Sequence, residues 1–230
     1  MHADQFHPNR RNILRGAFTL GAVALVAPGA FAEQLERTPG VEEGPFYPPR
    51  LPLDRDNDLI IVSDATTPAV GEITHLTGRV LDAGGSPIKD ALVEIWQCDA
   101  KGVYLAEGDG GNRGGARDTH FQGYGRFATA SAGEYRFRTI KPVPYNGRPA
   151  PHIHFKIRKN NRELLTTQLF IAGHPGNGRD GVFRGIRDPL DRELVSVDFT
   201  PVKNSKIGEY EARFDIVLGR TPADPEEDHH

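Results

Sequence analysis

The stretch "YNGRPAPHIHFKI", residues 145–157, decides how this chain is read. His152 and His154 stand one residue apart in an apolar run with the texture of a β-strand. Successive strand side chains point to opposite sides, so the two imidazoles share a face and meet the same neighbour. A solvated face explains such a pair. So does a metal, because imidazole is the commonest nitrogen ligand of iron, copper and zinc.

Working outward, the flanking sequence repeats the strand texture. "THLTGRVLD", "ALVEIWQCD", "AGEYRFRTIKP", "ELLTTQLFI" and "YEARFDIVL" are short runs rich in β-branched and aromatic residues, separated by Gly, Pro and Asp. No helical period competes with them. The expectation is an all-β fold, an antiparallel β-sandwich over residues 71–220. Two long connections, 102–129 and 173–199, are functional loops expected at one end of it. Residues 33–70 include "TPGVEEGPFYPPRLPLDRDND", too rich in Pro and Gly for a helix or central strand. This segment is expected to pack irregularly on the core and line the cleft. The tail, 221–230, is polar.

Composition narrows the function. Of 230 residues, 37 % are hydrophobic and 26 % charged, ordinary for a soluble globular chain. A net charge of −3 without a basic run argues against nucleic acid or an anionic membrane as partner. Cys98 is the only cysteine, so no intrachain disulfide forms. A homo-oligomer is left open.

Residues 1–32 read as an export signal. "NRRNILRG" carries paired Arg10 and Arg11, an apolar stretch follows over 17–27, and Ala30-Phe31-Ala32 has the small-x-small form of a cleavage site. The apolar stretch is too short for a permanent span. The arginine pair points to the twin-arginine route, hence to a periplasmic or extracellular protein. Cleavage after Ala32 removes three arginines and one aspartate, taking the net charge from −3 to −5.

If the histidine pair binds metal, the nearest oxygen donors are tyrosines: Tyr145 before it, and Tyr104 at the end of "VEIWQCDAKGVY". Phenolate is a hard donor, better matched to Fe(III) than to Zn(II) or Cu(I). Two phenolates offset two of the three ferric charges and leave positions for substrate oxygens. A zinc or copper site with a single tyrosine is the weaker alternative.

These residues carry a family resemblance. "TPGVEEGPFYPP", "GRVLDAGGSPIKDALVEIWQCDAKGVY", "HFQGYGRFATASAGEYRFRTIKPVPY", "RPAPHIHFKI" and "LLTTQLFI", in this order, resemble the intradiol ring-cleavage dioxygenases. The resemblance implies a non-haem Fe(III) enzyme that opens a catechol-type diol with O2, between its hydroxyl-bearing carbons, to a cis,cis-muconate-type diacid. It implies Tyr104, Tyr145, His152 and His154 as iron ligands, with Tyr104 also taking a substrate proton. Arg148 is similar to the family's active-site arginine, with one residue more before the first histidine, and Gln168 to its active-site glutamine. Phe46 and Tyr47 in "GPFY" are implied as substrate-pocket residues. Trp96, Tyr135 and Tyr210 read as packing residues, and His75, His120 and His174 as loop or surface histidines. The competing class is a non-catalytic β-sandwich binding module that kept the scaffold.

Overall fold

The computed structural model describes residues 34–63, 65–107 and 116–219. The stretch 1–32, expected to be an export signal, and the tail lie outside the described residues. Among the described residues ten strands form two sheets. The first joins β1 (Ile73–Leu81), β4 (Glu134–Ile140), β8 (Thr200–Pro201), β9 (Tyr210–Arg213) and β10 (Ile216–Val217). The second has the order β3 (Tyr124–Ala128), β2 (Leu92–Trp96), β5 (His152–Lys159), β6 (Arg162–Ile171), β7 (Ser196–Val197).

The all-β sandwich expected from sequence is present, with three departures in detail. β1 pairs parallel with β9 and β10, and β6 pairs parallel with β7. Parallel neighbours require a crossover rather than a hairpin, and each of these pairs is separated by a long excursion. Secondly, the connection over 102–129 ends earlier than expected, because Tyr124–Ala128 forms β3 antiparallel to β2. Thirdly, the connection over 173–199 contains two short helices, α1 (Gly181–Gly185) and α2 (Pro189–Leu194). Asp180 and Asp188 cap them, and Pro189 supplies a first-turn residue that needs no N–H donor.

The core lies between the sheets. Leu76, Val80, Phe137 and Ile140 of the first meet Val93, Ile95, Ile153, Phe155, Ile157 and Leu169 of the second. Phe155 contacts the Tyr135 and Phe214 rings, at centroid distances of 6.0 and 5.1 Å. Gly78 is required where Tyr135 donates its hydroxyl to the Phe214 carbonyl: a Cβ there would sit 1.9 Å from that oxygen. The β5–β6 hairpin turns through Asn160 and Asn161 at φ 50° and 59°, the left-handed pair a two-residue loop prefers.

With Ile153, Phe155 and Ile157 committed to the core, alternation sends His152, His154 and Lys156 to the other face of β5. That face is not solvated. The stretch 39–47 crosses it without regular structure, held by Val41 N–H to Thr166 O at 3.0 Å and Thr167 Oγ1 to Pro39 O at 2.8 Å. Downstream, Leu59 and Ile60 plug fully into the core.

Candidate metal centre

One row of side chains runs across four strands. Tyr124 faces Trp96, Trp96 faces His154, and His154 faces Gln168. The Trp96 and His154 rings stack at 4.8 Å, 9° from parallel, so the indole fixes the imidazole plane. Tyr104 arrives from the chain beyond β2, just before a 3-10 turn over Leu105–Glu107. Its Oη lies 3.3 Å from His152 Nε2 and 3.2 Å from His154 Nε2. Tyr145 hydrogen-bonds Tyr104, with ring centroids 5.3 Å apart and nearly perpendicular. Tyr104, His152 and His154 are each 1 % exposed.

The protonation states follow from this burial. His152 Nδ1 lies 2.7 Å from Ala150 O. A carbonyl only accepts, so Nδ1 carries the hydrogen and Nε2 presents a lone pair. Burial, then the nearby Arg148 charge, pushes the His152 pKa down to about 4. Burial, His152 and Arg148 hold His154 well below the ordinary imidazole range. Burial likewise raises Tyr104 well above the ordinary phenol range and raises Tyr145. Both imidazoles are therefore neutral donors near pH 7, while both phenols ionise only if a strong positive charge compensates.

That donor set fits a hard, highly charged cation. The acceptor atoms of Tyr104, His152 and His154 converge, and His154 Nδ1 has no hydrogen-bond partner whichever tautomer the ring adopts. Among the described residues no group of three or more His, Cys, Asp or Glu side chains could hold a metal, so any ion here draws on phenol oxygen. Zinc sites built on thiolate or carboxylate have no counterpart.

Around the donors lies a ring of oriented groups. Arg148 Nη2 donates to Gln168 Oε1 at 2.8 Å and Arg148 Nε to Asp180 Oδ2 at 2.9 Å. Gln168 Nε2 donates to Glu42 O at 2.8 Å. Glu42 also lines a cavity of about 500 Å³ with Pro39, Val41, Val182, Ile186 and Arg187. Above the donors, the segment Glu43–Tyr47 forms a roof. Phe46 stacks on Tyr104 at 4.4 Å, and a Cβ on Gly44 would touch His154 Cε1 at 3.7 Å. Lys156 pins the roof from below by pairing with Glu43 and lying 4.0 Å from the centre of the Tyr47 ring.

A family model described as "Dioxygenase" matches residues 42–220. The chain belongs to the intradiol ring-cleavage dioxygenases. It is 37 % identical over 186 residues to the protocatechuate 3,4-dioxygenase beta chain of Burkholderia cepacia, covering 76 % of each chain. It is 28 % identical to a hydroxyquinol 1,2-dioxygenase of Corynebacterium glutamicum over 76 % of this chain and 61 % of that one. Among solved structures, the dioxygenase domain of a dioxygenase carbohydrate-binding protein fusion from Streptomyces sp. SirexAA-E superimposes with a TM-score of 0.60. The two are 29 % identical, over 81 % of this chain and 100 % of that one.

This intradiol dioxygenase is accordingly an oxidoreductase. The residues its sequence offered as metal ligands and catalytic groups lie in or beside one site. Tyr104, Tyr145, His152 and His154 come together, and Arg148 and Gln168 touch each other beside them. Phe46 covers Tyr104, and Tyr47 turns its hydroxyl to Glu94, 3.2 Å away. Trp96 is buried as expected, yet it packs the donor set rather than the inter-sheet core. His75 pairs with Glu209 at 2.9 Å and His120 with Asp118 at 3.3 Å, both away from the donors. Three participants escaped the sequence reading: Asp180, Glu94 and Lys156. Lys156 had a signal, since it shares the strand face of the two histidines.

Proposed function

We propose that this intradiol dioxygenase holds a ferric ion through Tyr104, Tyr145, His152 and His154 and opens a catechol-type substrate with O2. Both oxygen atoms enter a cis,cis-muconate-type diacid, so the reaction needs no external reductant. The observation that carries the reading is the convergence of the two imidazole Nε2 atoms on one phenol oxygen, at 3.3 and 3.2 Å, in a buried site. Ferric iron supplies Lewis acidity toward the two catechol oxygens and draws electron density from the ring.

The chain's own groups do the rest. His152 is held by Ala150 O with its lone pair toward Tyr104. Burial holds the Tyr104 phenol well above its ordinary range, so a Tyr104 phenolate would be suited to accept a proton from a catechol hydroxyl. Arg148 is a fixed positive charge, 13 % exposed, beside the donors, and stabilises negative charge developing on the ring. Gln168 holds that guanidinium toward the site. The roof over Phe46 limits water around the reacting groups.

The same reading makes residues 1–32 a twin-arginine signal and the mature enzyme periplasmic or extracellular. The likeness to a chain named as a beta subunit favours assembly with further chains. The test is direct. Purified protein should contain one iron per chain, absorb visible light through tyrosinate-to-iron charge transfer, and convert catechol under O2 to the ring-opened diacid. A colourless protein carrying stoichiometric zinc, or iron-loaded protein that leaves every catechol intact, overturns it.

A further inference from the structure

Asp180 is fully buried although it sits in the connection between β6 and β7. Its carboxylate accepts four N–H groups. Oδ1 takes Val182 N–H and Phe183 N–H, each at 3.0 Å, which caps α1. Oδ2 takes Arg148 Nε–H at 2.9 Å and Ala150 N–H at 3.3 Å. Capping alone requires none of the second pair. Asp188 caps α2 from an exposed position by accepting Leu190 N–H at 2.9 Å.

What Oδ2 holds is the middle of the segment that delivers the site. Tyr145 and Arg148 exchange backbone hydrogen bonds at 3.1 and 2.9 Å, so fixing Arg148 fixes the turn that carries Tyr145. Arg148 then reaches Gln168 with its remaining arm. Ala150 gives its N–H to Asp180 and takes the His152 Nδ1 hydrogen on its carbonyl, so a single residue separates the carboxylate from the imidazole.

We infer that Asp180 is the positioning residue of this site, orienting Arg148 directly and the His152 ring by way of Ala150. The inference rests on the dioxygenase reading for its kinetic consequence but not for its geometry. A carboxylate is needed because N–H donors approach both oxygens. An amide accepts at one oxygen only and turns its NH2 against two further donors. A misplacement of the guanidinium by about 1 Å is enough to slow a reaction by roughly 10²-fold.

The test separates capping from positioning. Asp180→Ser keeps a hydroxyl that caps α1 but cannot also reach Arg148, since serine is a good N-cap residue. In iron-loaded enzyme, Asp180→Ser and Asp180→Asn should retain iron and the absorbance change on anaerobic catechol binding, while ring opening slows roughly 10- to 100-fold. Adding either change to Arg148→Ala should slow ring opening by less than the product of the two separate effects, because Asp180 acts chiefly through that guanidinium and only secondarily through Ala150. Wild-type turnover in folded Asp180→Ser, or a full multiplicative loss in the double variant, overturns the inference.

A second measurement needs no activity. In metal-free wild type, the Arg148 Nε–H resonance, assigned by its loss in Arg148→Ala, should be protected from solvent exchange, and it should lose that protection in Asp180→Ser. Exchange in wild type as fast as that of surface arginines also overturns the inference. If the enzyme opens no catechol at all, the functional reading fails while this measurement still decides the contact.

Discussion

Arg148 and Gln168 are joined by a 2.8 Å hydrogen bond from guanidinium Nη2 to amide Oε1, which fixes the amide's orientation as well as the guanidinium's. With Oε1 committed to Arg148, Gln168 Nε2 must face the other way, where it meets Glu42 O at 2.8 Å. The positive charge is thus held between two anchors, Gln168 and Asp180. Arg148→Ala should leave iron content and catechol binding intact, since neither requires the guanidinium, and slow formation of the diacid about 10²-fold. Arg148→Lys should recover only part, because one flexible ammonium cannot serve both anchors. Wild-type turnover in Arg148→Ala would remove the charge from the mechanism.

Removing a donor should act on the metal itself. Tyr145→Phe and His154→Ala should each lose most of the iron and most of the visible colour, measured as iron per chain and absorbance on the same sample. Full iron occupancy in both variants would move the metal away from this cluster.

Acidity should unfold the metal-free protein early. His152 is pushed to about 4 in the folded state and returns to an ordinary value near 6.5 when exposed. Between those values the unfolded chain binds the proton and the folded one does not, so stability falls as pH falls. His154 is shifted in the same direction. The His152 contribution alone is about 3 kcal/mol across this window. Urea midpoints at pH 7 and pH 4.5 measure it, and a His152→Asn variant should show a flatter profile. Equal midpoints for the wild type at both pH values would contradict the buried neutral imidazole.

The roof should rest on Glu94. Tyr124 and Tyr47 both donate to its Oε1, while Oε2 is buried without a partner. Tyr124→Phe should destabilise the protein by about 1–3 kcal/mol, through a buried carboxylate that loses a donor. Iron content should stay at wild-type level because Tyr124 is not among the donors. The denaturation midpoint and the iron assay check the two halves separately.

Export should depend on the arginine pair. Replacing Arg10 and Arg11 by lysine is expected to leave uncleaved precursor in the cytoplasm, detected by fractionation and immunoblotting. Normal processing of that variant would indicate the general secretory route.

The histidine pair was legible in the sequence because it depends on a local rule, whereas the full donor set with Tyr104 and Tyr145 was implied by the family resemblance. Alternation puts His152 and His154 on one face whatever packs against them, and the core-facing Ile153, Phe155 and Ile157 fix which face that is. Asp180 was not legible. In "GRDGVF" it lies within a stretch read only as a long loop, and the arginine that completes its role lies 32 residues earlier. Glu94 was hidden differently: it alternates with Val93 and Ile95 as an exposed residue of a half-buried strand would. The Glu43–Tyr47 segment, some fifty residues upstream, covers that face and buries it. β3 was missed because Tyr124–Ala128 is five residues long and contains a glycine, too short to separate from the loop before it.

The 1 % exposure of Tyr104, His152 and His154 turns the choice of metal into a matter of timing. Once Phe46 has settled on Tyr104 and Lys156 has paired with Glu43, an arriving hydrated ion finds no donor atom to begin exchanging its water. If the proposed ferric ion is held here, it would have to be loaded as the chain folds, and the proposed export would then let the folding compartment rather than the working one select it. In the Irving–Williams order copper and zinc outcompete iron for most nitrogen–oxygen sites. A roof closed before the protein met those metals would protect a ferric occupant by kinetics where affinity alone would not.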